Sequence, residues 1–312
     1  MSRFFAGPLV ALGLVAHCLL LVPMAHAESD APEDEGQSYL TRIWNLENRN
    51  GQDKSLLNGL SPHRQNYVVM RKTSNPNFQP TSAADGRSTL TPYDLDALEA
   101  KFQLSMKADI ASHPGPDWLG MTTVRYWLAY TQQSHWQIAN TRNSEPFRET
   151  NYEPEFIATF VRDGAARFRF VNLGVLHQSN GRSLPESRKW NRYYVQGGWE
   201  SGVTSVLLRR WWRLADEPLL DDNPDITDYA GLGDLMLHWE PEDESQSVAV
   251  LLRSNLQLAG NHSYVQIDWA TPKTMGHAGR VHVQLTSGYG ESLIDYNHRQ
   301  TTLGLGLSFR EW

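Results

Sequence analysis

The stretch KFQLSMKADI at residues 101–110 alternates polar and apolar side chains without interruption. One parity carries only apolar residues, namely Phe102, Leu104, Met106, Ala108 and Ile110. Because successive side chains of a β-strand point to opposite faces, this pattern predicts a strand with one apolar and one polar face. The same alternation recurs at residues 124–130, 281–285 and 303–309, whereas helical spacing is scarce. The sequence therefore predicts an all-β fold.

Clusters of Gly, Pro, Asn and Asp divide the chain after residue 65 into about twelve such segments. They begin near residues 66, 98, 119, 153, 166, 189, 204, 229, 246, 262, 279 and 299. The 11 Trp, 12 Tyr and 10 Phe suffice for aromatic girdles at two membrane interfaces, and the last alternating strand is closed by the aromatic Trp312. We therefore predict a transmembrane antiparallel β-barrel over residues 66–312. A soluble β-sandwich or lipocalin-like barrel is the alternative.

Residues 1–27 have the pattern of a signal peptide. Arg3 precedes an apolar run from Phe4 to Met24, which closes on Ala-His-Ala at residues 25–27. These are the parts that a signal peptidase recognises, so we predict cleavage before Glu28. An uncleaved anchor helix is the alternative. A lipoprotein is disfavoured because a histidine, rather than a small residue, precedes Cys18.

Removal of this leader takes away Cys18, the only cysteine, so no disulfide is expected. It also takes away Arg3, which changes the formal net charge from −7 to −8. Since the remaining chain has no basic cluster that could neutralise a run of phosphates, nucleic acid is not an expected partner. No stretch after Met24 approaches the roughly 18 consecutive apolar residues that a membrane helix requires.

Residues 28–65 are predicted to form an acidic tail and a periplasmic or plug segment. A short apolar cluster at Tyr39, Leu40, Ile43 and Trp44 favours the plug. For residues 28–38 plain disorder is an equal alternative. We find no internal repeat and no second domain.

A polar trio lies in the predicted hairpin LHQSNGRSLPESRKWNR, residues 176–192. His177 and Ser179 continue the apolar parity of one strand, and Asn191 shares the apolar parity of the returning strand. Polar groups that face hydrocarbon are costly, which favours a functional role. A serine nucleophile needs a base, the base needs an orienting acceptor, and an asparagine carbonyl can be that acceptor. Without this parity, a His-x-Ser pair would be interpreted as two surface residues with no function.

The stretch from His177 to Arg192 resembles the active-site motif of the outer-membrane phospholipase A family. Three further segments are similar to that family: SEPFRETNYEP at residues 144–154, DDNPDIT at residues 221–227 and SGYGESLIDYN at residues 287–297. The resemblance implies a calcium-dependent outer-membrane phospholipase that hydrolyses the sn-1 and sn-2 acyl esters of glycerophospholipids. It also implies that Ser179 is the nucleophile, His177 the general base and Asn191 the residue that orients the base.

The resemblance further implies a calcium ion and a homodimer. The ion would be bound by the backbone carbonyl of Arg182 and the hydroxyl of Ser187, with Ser144 contributed by a second subunit. Calcium and the backbone N–H of Gly181 would stabilise the oxyanion. Gln132 matches a polar residue that the family buries at its dimer interface.

A second, structural calcium site of that family uses a carboxylate where this chain has Leu184, which leaves only Asp222 there. We do not expect that second site to be kept. In a twelve-strand barrel with both ends in the periplasm, all four similar segments fall on hairpins of one rim, directed toward the outer leaflet. Two other hypotheses are a non-enzymatic, porin-like barrel and a soluble periplasmic esterase.

Overall fold

The computed structural model of the chain describes residues 38–46, 60–116, 120–162, 167–275 and 279–309. The predicted signal peptide, residues 28–37 of the acidic tail and the terminal Trp312 lie outside the described residues. Among the described residues, no helix is long and apolar enough to cross a membrane.

Strands form most of the described chain. They are β1 (Leu60–Pro62), β2 (Asn66–Thr73), β3 (Leu98–Pro114), β4 (Met121–Trp136), β5 (Phe147–Arg162), β6 (Phe168–Ser179), β7 (Lys189–Ser201), β8 (Thr204–Leu214), β9 (Gly233–Trp239), β10 (Ser247–Ser254), β11 (Ser263–Met275), β12 (Gly279–Gly288) and β13 (Gln300–Phe309). Two short α-helices, α1 (Tyr39–Trp44) and α2 (Ile226–Ala230), and a 3₁₀ helix (Thr141–Asn143) complete the described elements.

Strands β2 to β13 close into an antiparallel barrel of twelve strands. Each pairs with its neighbours in sequence, and β13 returns to pair with β2, with Leu305 opposite Met70. The short β1 pairs with the far end of β3, beyond the end of β2. The predicted antiparallel barrel is confirmed, and the β-sandwich alternative is wrong.

Two strand starts differ most from the prediction. β5 begins at Phe147 rather than near residue 153, because its polar start faces the barrel interior, where Glu149 and Asn151 are buried. β9 begins at Gly233 rather than near residue 229, because the preceding residues form α2. Alternation of polarity could show neither point.

The barrel is polar inside and apolar outside. Lys101 and Lys107 of β3 are 0% exposed, and buried Arg71 is paired with Glu99 and Glu291. On the outer face, Leu303 and Leu305 of β13 are 61% and 60% exposed. An apolar outer band around a polar, ion-paired interior is the arrangement of a barrel surrounded by lipid.

α1 packs against residues that line the barrel interior. Leu40 and Trp44 are buried in one apolar cluster with Trp127 and Phe170. The backbone N–H of Leu40 donates to Glu200 Oε1 at 2.6 Å. The apolar cluster singled out in the sequence is therefore a helix held by the barrel wall, while the division of residues 28–65 into tail and plug stays a prediction.

The connections after β2, β4, β6, β8, β10 and β12 open on one rim, which we call the motif rim. It consists of residues 74–97, 137–146, 180–188, 215–232, 255–262 and 289–299. All four segments that resemble the phospholipase family reach this rim, as the strand count predicted. The motif rim therefore carries the candidate site.

Candidate active site

His177 and Asn191 are direct register partners on β6 and β7. Nδ1 of His177 lies 2.8 Å from Oδ1 of Asn191. Because an amide oxygen can only accept, Nδ1 carries a hydrogen, and in the neutral imidazole Nε2 is then the nitrogen with the lone pair. The pair thus holds an imidazole in the tautomer and orientation that a general base needs.

Ser179 follows two residues later on β6, about 7 Å along the strand from His177. Its register partners are Lys189 on β7 and Tyr152 on β5. Within the described residues the Ser179 hydroxyl has no hydrogen-bond partner. The hydroxyl is therefore available to donate to the His177 imidazole. Hydrogen bonds between a nucleophile and its base commonly tighten only when substrate binds.

The trio borders the apolar outer face of the barrel. Val175 and Tyr193, which share its parity, are 50% and 43% exposed. Tyr193 stacks on Trp212 of β8 with ring centroids 5.3 Å apart, and Leu214 is the register partner of Asn191. Polar groups at the top of an apolar surface are suited to a substrate that arrives with its acyl chains in the membrane.

Asn180 holds the loop that follows Ser179, a role that the sequence analysis missed. Its side chain is 4% exposed, and Oδ1 accepts from the backbone N–H of Arg188 at 2.9 Å and of Arg182 at 3.3 Å. Its Nδ2 donates to the Glu186 carbonyl at 2.9 Å. An Asn-Gly pair is a turn signal in the sequence, so the turn, though not these partners, could have been predicted.

Gly181, whose N–H is the predicted oxyanion donor, has a backbone that favours glycine. Its φ is +64°, and a Cβ at this position would lie 3.2 Å from the Tyr152 ring. Both the left-handed conformation and the close ring explain why a side chain is absent here. The N–H is thereby held on the loop two residues after Ser179.

Two of the three predicted calcium ligands lie on this same loop. The Ser187 hydroxyl donates its proton to Asp222 Oδ2 at 2.6 Å, which leaves its lone pairs available to a cation. The Arg182 carbonyl accepts no hydrogen bond in the described part of the chain. Hydroxyl and carbonyl oxygens are ligands that calcium prefers, so these residues fit the ion. Across the described ranges no cluster of three His, Cys, Asp or Glu side chains could hold a metal instead.

Ser144, the third predicted ligand, lies on a different hairpin of the motif rim. It follows the 3₁₀ helix with φ of 60° and is exposed. Ser144 is therefore accessible to a neighbouring molecule.

The loss of the second calcium site stays a prediction. The Leu184 side chain offers no ligand and is 56% exposed. One oxygen of Asp222 accepts from Ser187, and the other pairs with Arg87 Nε at 2.7 Å. Each carboxylate oxygen of Asp222 thus already has a partner within the protein, which supports the expectation that a second ion is not kept.

Gln132 lies on the outer face of β4, in register with Tyr152, which is in turn the partner of Ser179. Its Oε1 accepts from the Tyr130 hydroxyl at 3.1 Å, and its Nε2 donates to Ser134 Oγ at 3.3 Å. A polar side chain in the same lateral row as Ser179, one strand beyond Tyr152, is placed where a second copy of the chain could cover it.

Ion pairs behind the site tie the motif rim to the barrel interior. Arg148 Nη1 donates to Asp295 Oδ2 at 2.6 Å, and its Nε donates to Glu99 at 3.0 Å. Burial alone would raise the pKa of the Asp295 carboxyl, but the Arg148 guanidinium outweighs it and holds that pKa below its usual value. The 289–299 loop is thus anchored by a carboxylate that stays charged.

Known proteins resemble this chain over most of its length. The sequence model of the Phospholipase A1 family matches residues 40–309. A putative phospholipase A1 of Neisseria meningitidis serogroup B is 38% identical over 273 residues, which cover 83% of this chain and 68% of that protein. Phospholipase A1 of Escherichia coli is 35% identical over 257 residues, which cover 81% of this chain and 82% of that protein.

Solved structures agree with this assignment. The outer membrane phospholipase A of Escherichia coli superposes with a TM-score of 0.67 at 33% identity, covering 80% of this chain and 98% of that one. The outer membrane phospholipase of Salmonella typhi, a dimer with bound calcium, superposes with a TM-score of 0.69 at 31% identity, covering 88% and 98%. The chain therefore belongs to the phospholipase A1 family, whose members are esterases in an outer-membrane β-barrel.

Proposed function

We propose that this protein is a calcium-dependent outer-membrane phospholipase that cleaves the sn-1 and sn-2 acyl esters of glycerophospholipids through Ser179, His177 and Asn191. The observation that carries the proposal is the 2.8 Å contact between His177 and Asn191 on a surface that otherwise faces lipid. Polar groups that face hydrocarbon cost free energy, and a catalytic role explains why they are kept there.

In the proposed reaction His177 Nε2 takes the proton of Ser179 Oγ as that oxygen attacks the ester carbonyl carbon. Asn191 Oδ1 holds the Nδ1–H of the imidazolium that forms. His177 then gives the proton to the leaving alcohol oxygen, which releases lysophospholipid. Water, deprotonated by His177, hydrolyses the acyl group on Ser179 and releases the fatty acid.

Two groups would stabilise the negative charge on the carbonyl oxygen during this attack. The first is the backbone N–H of Gly181. Calcium, if held by the Arg182 carbonyl and the Ser187 hydroxyl, would supply the second as a positive charge.

We further propose that the active form is a homodimer, with Ser144 of the partner subunit completing the calcium site. Support comes from the exposed position of Ser144 and from the lateral row that joins Gln132 to Ser179 on the outer face. The calcium-bound dimer of the Salmonella typhi relative is consistent with this arrangement. The site would face the outer leaflet and stay inactive in a monomer.

The test is release of fatty acid and lysophospholipid from mixed micelles by the detergent-solubilised full chain, with calcium and with a chelator. We expect calcium-dependent release that Ser179→Ala abolishes. Ser183→Ala, which removes an exposed hydroxyl of the same loop, is the matched control and retains activity. Full activity of Ser179→Ala would refute the proposal, and ion conductance in planar bilayers without lipid turnover would favour the porin-like alternative.

A further inference from the structure

Asp222 connects the candidate calcium ligand Ser187 to a distant arginine. Its Oδ2 accepts the Ser187 hydroxyl at 2.6 Å, and its Oδ1 accepts from Arg87 Nε at 2.7 Å. The Asp222 carboxylate is nearly buried, and the Arg87 side chain is 16% exposed. Three loops of the motif rim, after β2, β6 and β8, thus meet at one carboxylate.

Residues 81–88, which we call the strap, are also fixed to these loops by other contacts. Ser82 Oγ donates to the Asp222 carbonyl at 2.7 Å. Arg188, which is 0% exposed, donates to the Arg87 carbonyl at 2.8 Å and to the Thr81 carbonyl at 3.1 Å. Because Asp222 and the carbonyls of Thr81 and Arg87 are all held by these contacts, the Arg87 guanidinium has a defined position.

This arrangement determines which way the Ser187 hydroxyl points. Its hydrogen is committed to Asp222, so its lone pairs face away from the carboxylate. A buried carboxylate needs a compensating cation, and Arg87 is the cation that contacts Asp222. Without it, Asp222 would be free to turn, or to attract a cation from solvent, and Ser187 would lose its fixed orientation.

We propose that Arg87 is a positioning residue for the calcium site: it neutralises Asp222 from within the chain, so that Asp222 holds the Ser187 hydroxyl ready for one calcium ion and no second ion is needed. This inference rests on the proposed function, in which Ser187 is a calcium ligand. Residues that orient metal ligands in this way typically change metal affinity by about 10- to 100-fold when removed.

The experiment measures calcium binding by calorimetry to dimers of the full chain in detergent, in a Ser179→Ala background so that no lipid is hydrolysed. We expect Arg87→Ala to weaken calcium binding about tenfold or more, and Arg87→Lys, which keeps the charge, to restore most of it. Arg167→Ala is the control, because Arg167 is exposed just before β6, at the rim opposite to the motif rim.

A double-mutant cycle tests whether Arg87 acts through Asp222. Asp222→Ala is expected to weaken calcium binding as much as Arg87→Ala, and the double variant no further. Additive losses would show that Arg87 acts by another route and would overturn the inference, as would unchanged or tighter calcium binding by Arg87→Ala. If Arg87→Ala does not fold, Arg87→Lys and Asp222→Ala decide by the same criteria.

The two proposals can fail separately. Absence of calcium binding by the otherwise unaltered chain, or full lipid hydrolysis by Ser179→Ala, would count against the proposed function. Normal calcium binding by the unaltered chain, together with no effect of Arg87→Ala, would count only against the proposed positioning role of Arg87.

Discussion

Asn191 presents an uncharged oxygen to His177 Nδ1 at 2.8 Å, on a strand pair whose register makes the two residues direct partners. A carboxylate in that place would put a net charge at the edge of the apolar outer face. A neutral acceptor orients the imidazole without that desolvation cost. The register of β6 and β7, rather than a loop, therefore sets the geometry of the proposed base.

Replacing Asn191 by alanine should therefore affect catalysis rather than folding. Loss of the acceptor lets the His177 ring turn, and misplacement of a catalytic group by about 1 Å costs on the order of 100-fold in rate. We expect kcat for lipid hydrolysis to fall by about that factor in Asn191→Ala. Asn191→Asp, which keeps an acceptor, should retain more activity.

Tyr193→Phe is the control for this substitution, since it has the same parity on β7 and keeps the ring that stacks on Trp212. Its kcat should stay close to that of the unaltered chain. Equal losses in Asn191→Ala and Tyr193→Phe would mean that the outer face of β7, and not the acceptor, supports catalysis.

Gly181 and Gly202 allow the backbone cost of a side chain to be separated from its effect on the site. Both have positive φ, +64° and +56°, but only Gly181 has a neighbour within 4 Å of the added Cβ. Alanine in a left-handed conformation costs about 1–2 kcal/mol at either position. We expect both variants to unfold at lower denaturant concentration, and only Gly181→Ala to lose activity, because its added Cβ would lie 3.2 Å from the Tyr152 ring and requires a shift within the loop that carries the proposed oxyanion donor.

Denaturant unfolding and kcat measured on the same preparations check this expectation. An active Gly181→Ala enzyme would remove Gly181 from the proposed mechanism. An inactive Gly202→Ala enzyme would show that the assay follows stability and not site geometry.

Sequence alternation predicted the barrel because lipid and the polar interior impose opposite demands at every second residue. The same parity rule found the trio, since His177, Ser179 and Asn191 break an apolar face at corresponding heights. It could not find the contact between Arg87 and Asp222, which joins residues 135 positions apart through irregular loops. Nor could it find the start of β5, because polar residues at a strand end look like a loop when only polarity is read.

The roles of individual loop residues depended on resemblance rather than on pattern. Nothing in residue spacing distinguishes Ser187, which reaches Asp222, from Ser183, which is exposed on the same loop. Asn180 was overlooked for a similar reason, since its three backbone partners follow from the path of the loop. Periodicity therefore predicts the wall of such a protein well and its rim poorly.

The ion pair between Asp295 and Arg148 predicts how the motif rim responds to acid. The Asp295 pKa is depressed in the folded chain below its ordinary value of 3.8. Its contribution to stability is therefore fully present above pH 3.8 and is lost as the pH falls through the folded pKa. We expect Asp295→Asn to lower the free energy of unfolding by about 3 kcal/mol at neutral pH and to show a smaller further loss in acid.

Asp94→Asn is the control for this effect, because Asp94 also pairs with an arginine, Arg142, but is 55% exposed. Exposed ion pairs contribute little to stability, so this variant should unfold like the unaltered chain at neutral pH. Urea unfolding across the acid range, compared between the three proteins, measures both differences. Parallel pH profiles for Asp295→Asn and the unaltered chain would contradict the assignment.

A mixing experiment tests whether Ser144 acts across the dimer. Ser144→Ala and Ser179→Ala should each be inactive alone, the first for want of a calcium ligand and the second for want of a nucleophile. In a mixed dimer, one site combines the intact Ser179 of one subunit with the intact Ser144 of the other. With random pairing, equal amounts of the two variants should recover about a quarter of the original activity, because half of the dimers each contain one complete site.

Mixing Ser179→Ala with His177→Ala is the matched control. Ser179 and His177 both lie on β6 and serve the site of their own subunit, so each subunit of a mixed dimer still lacks one residue of its site. It should therefore stay inactive under the same conditions of detergent, lipid and calcium. Recovery in the first mixture alone can arise only if Ser144 serves the Ser179 of its partner. If instead neither mixture recovers activity although cross-linking shows mixed dimers, Ser144 serves its own subunit, and the calcium ligands of each site come from a single chain.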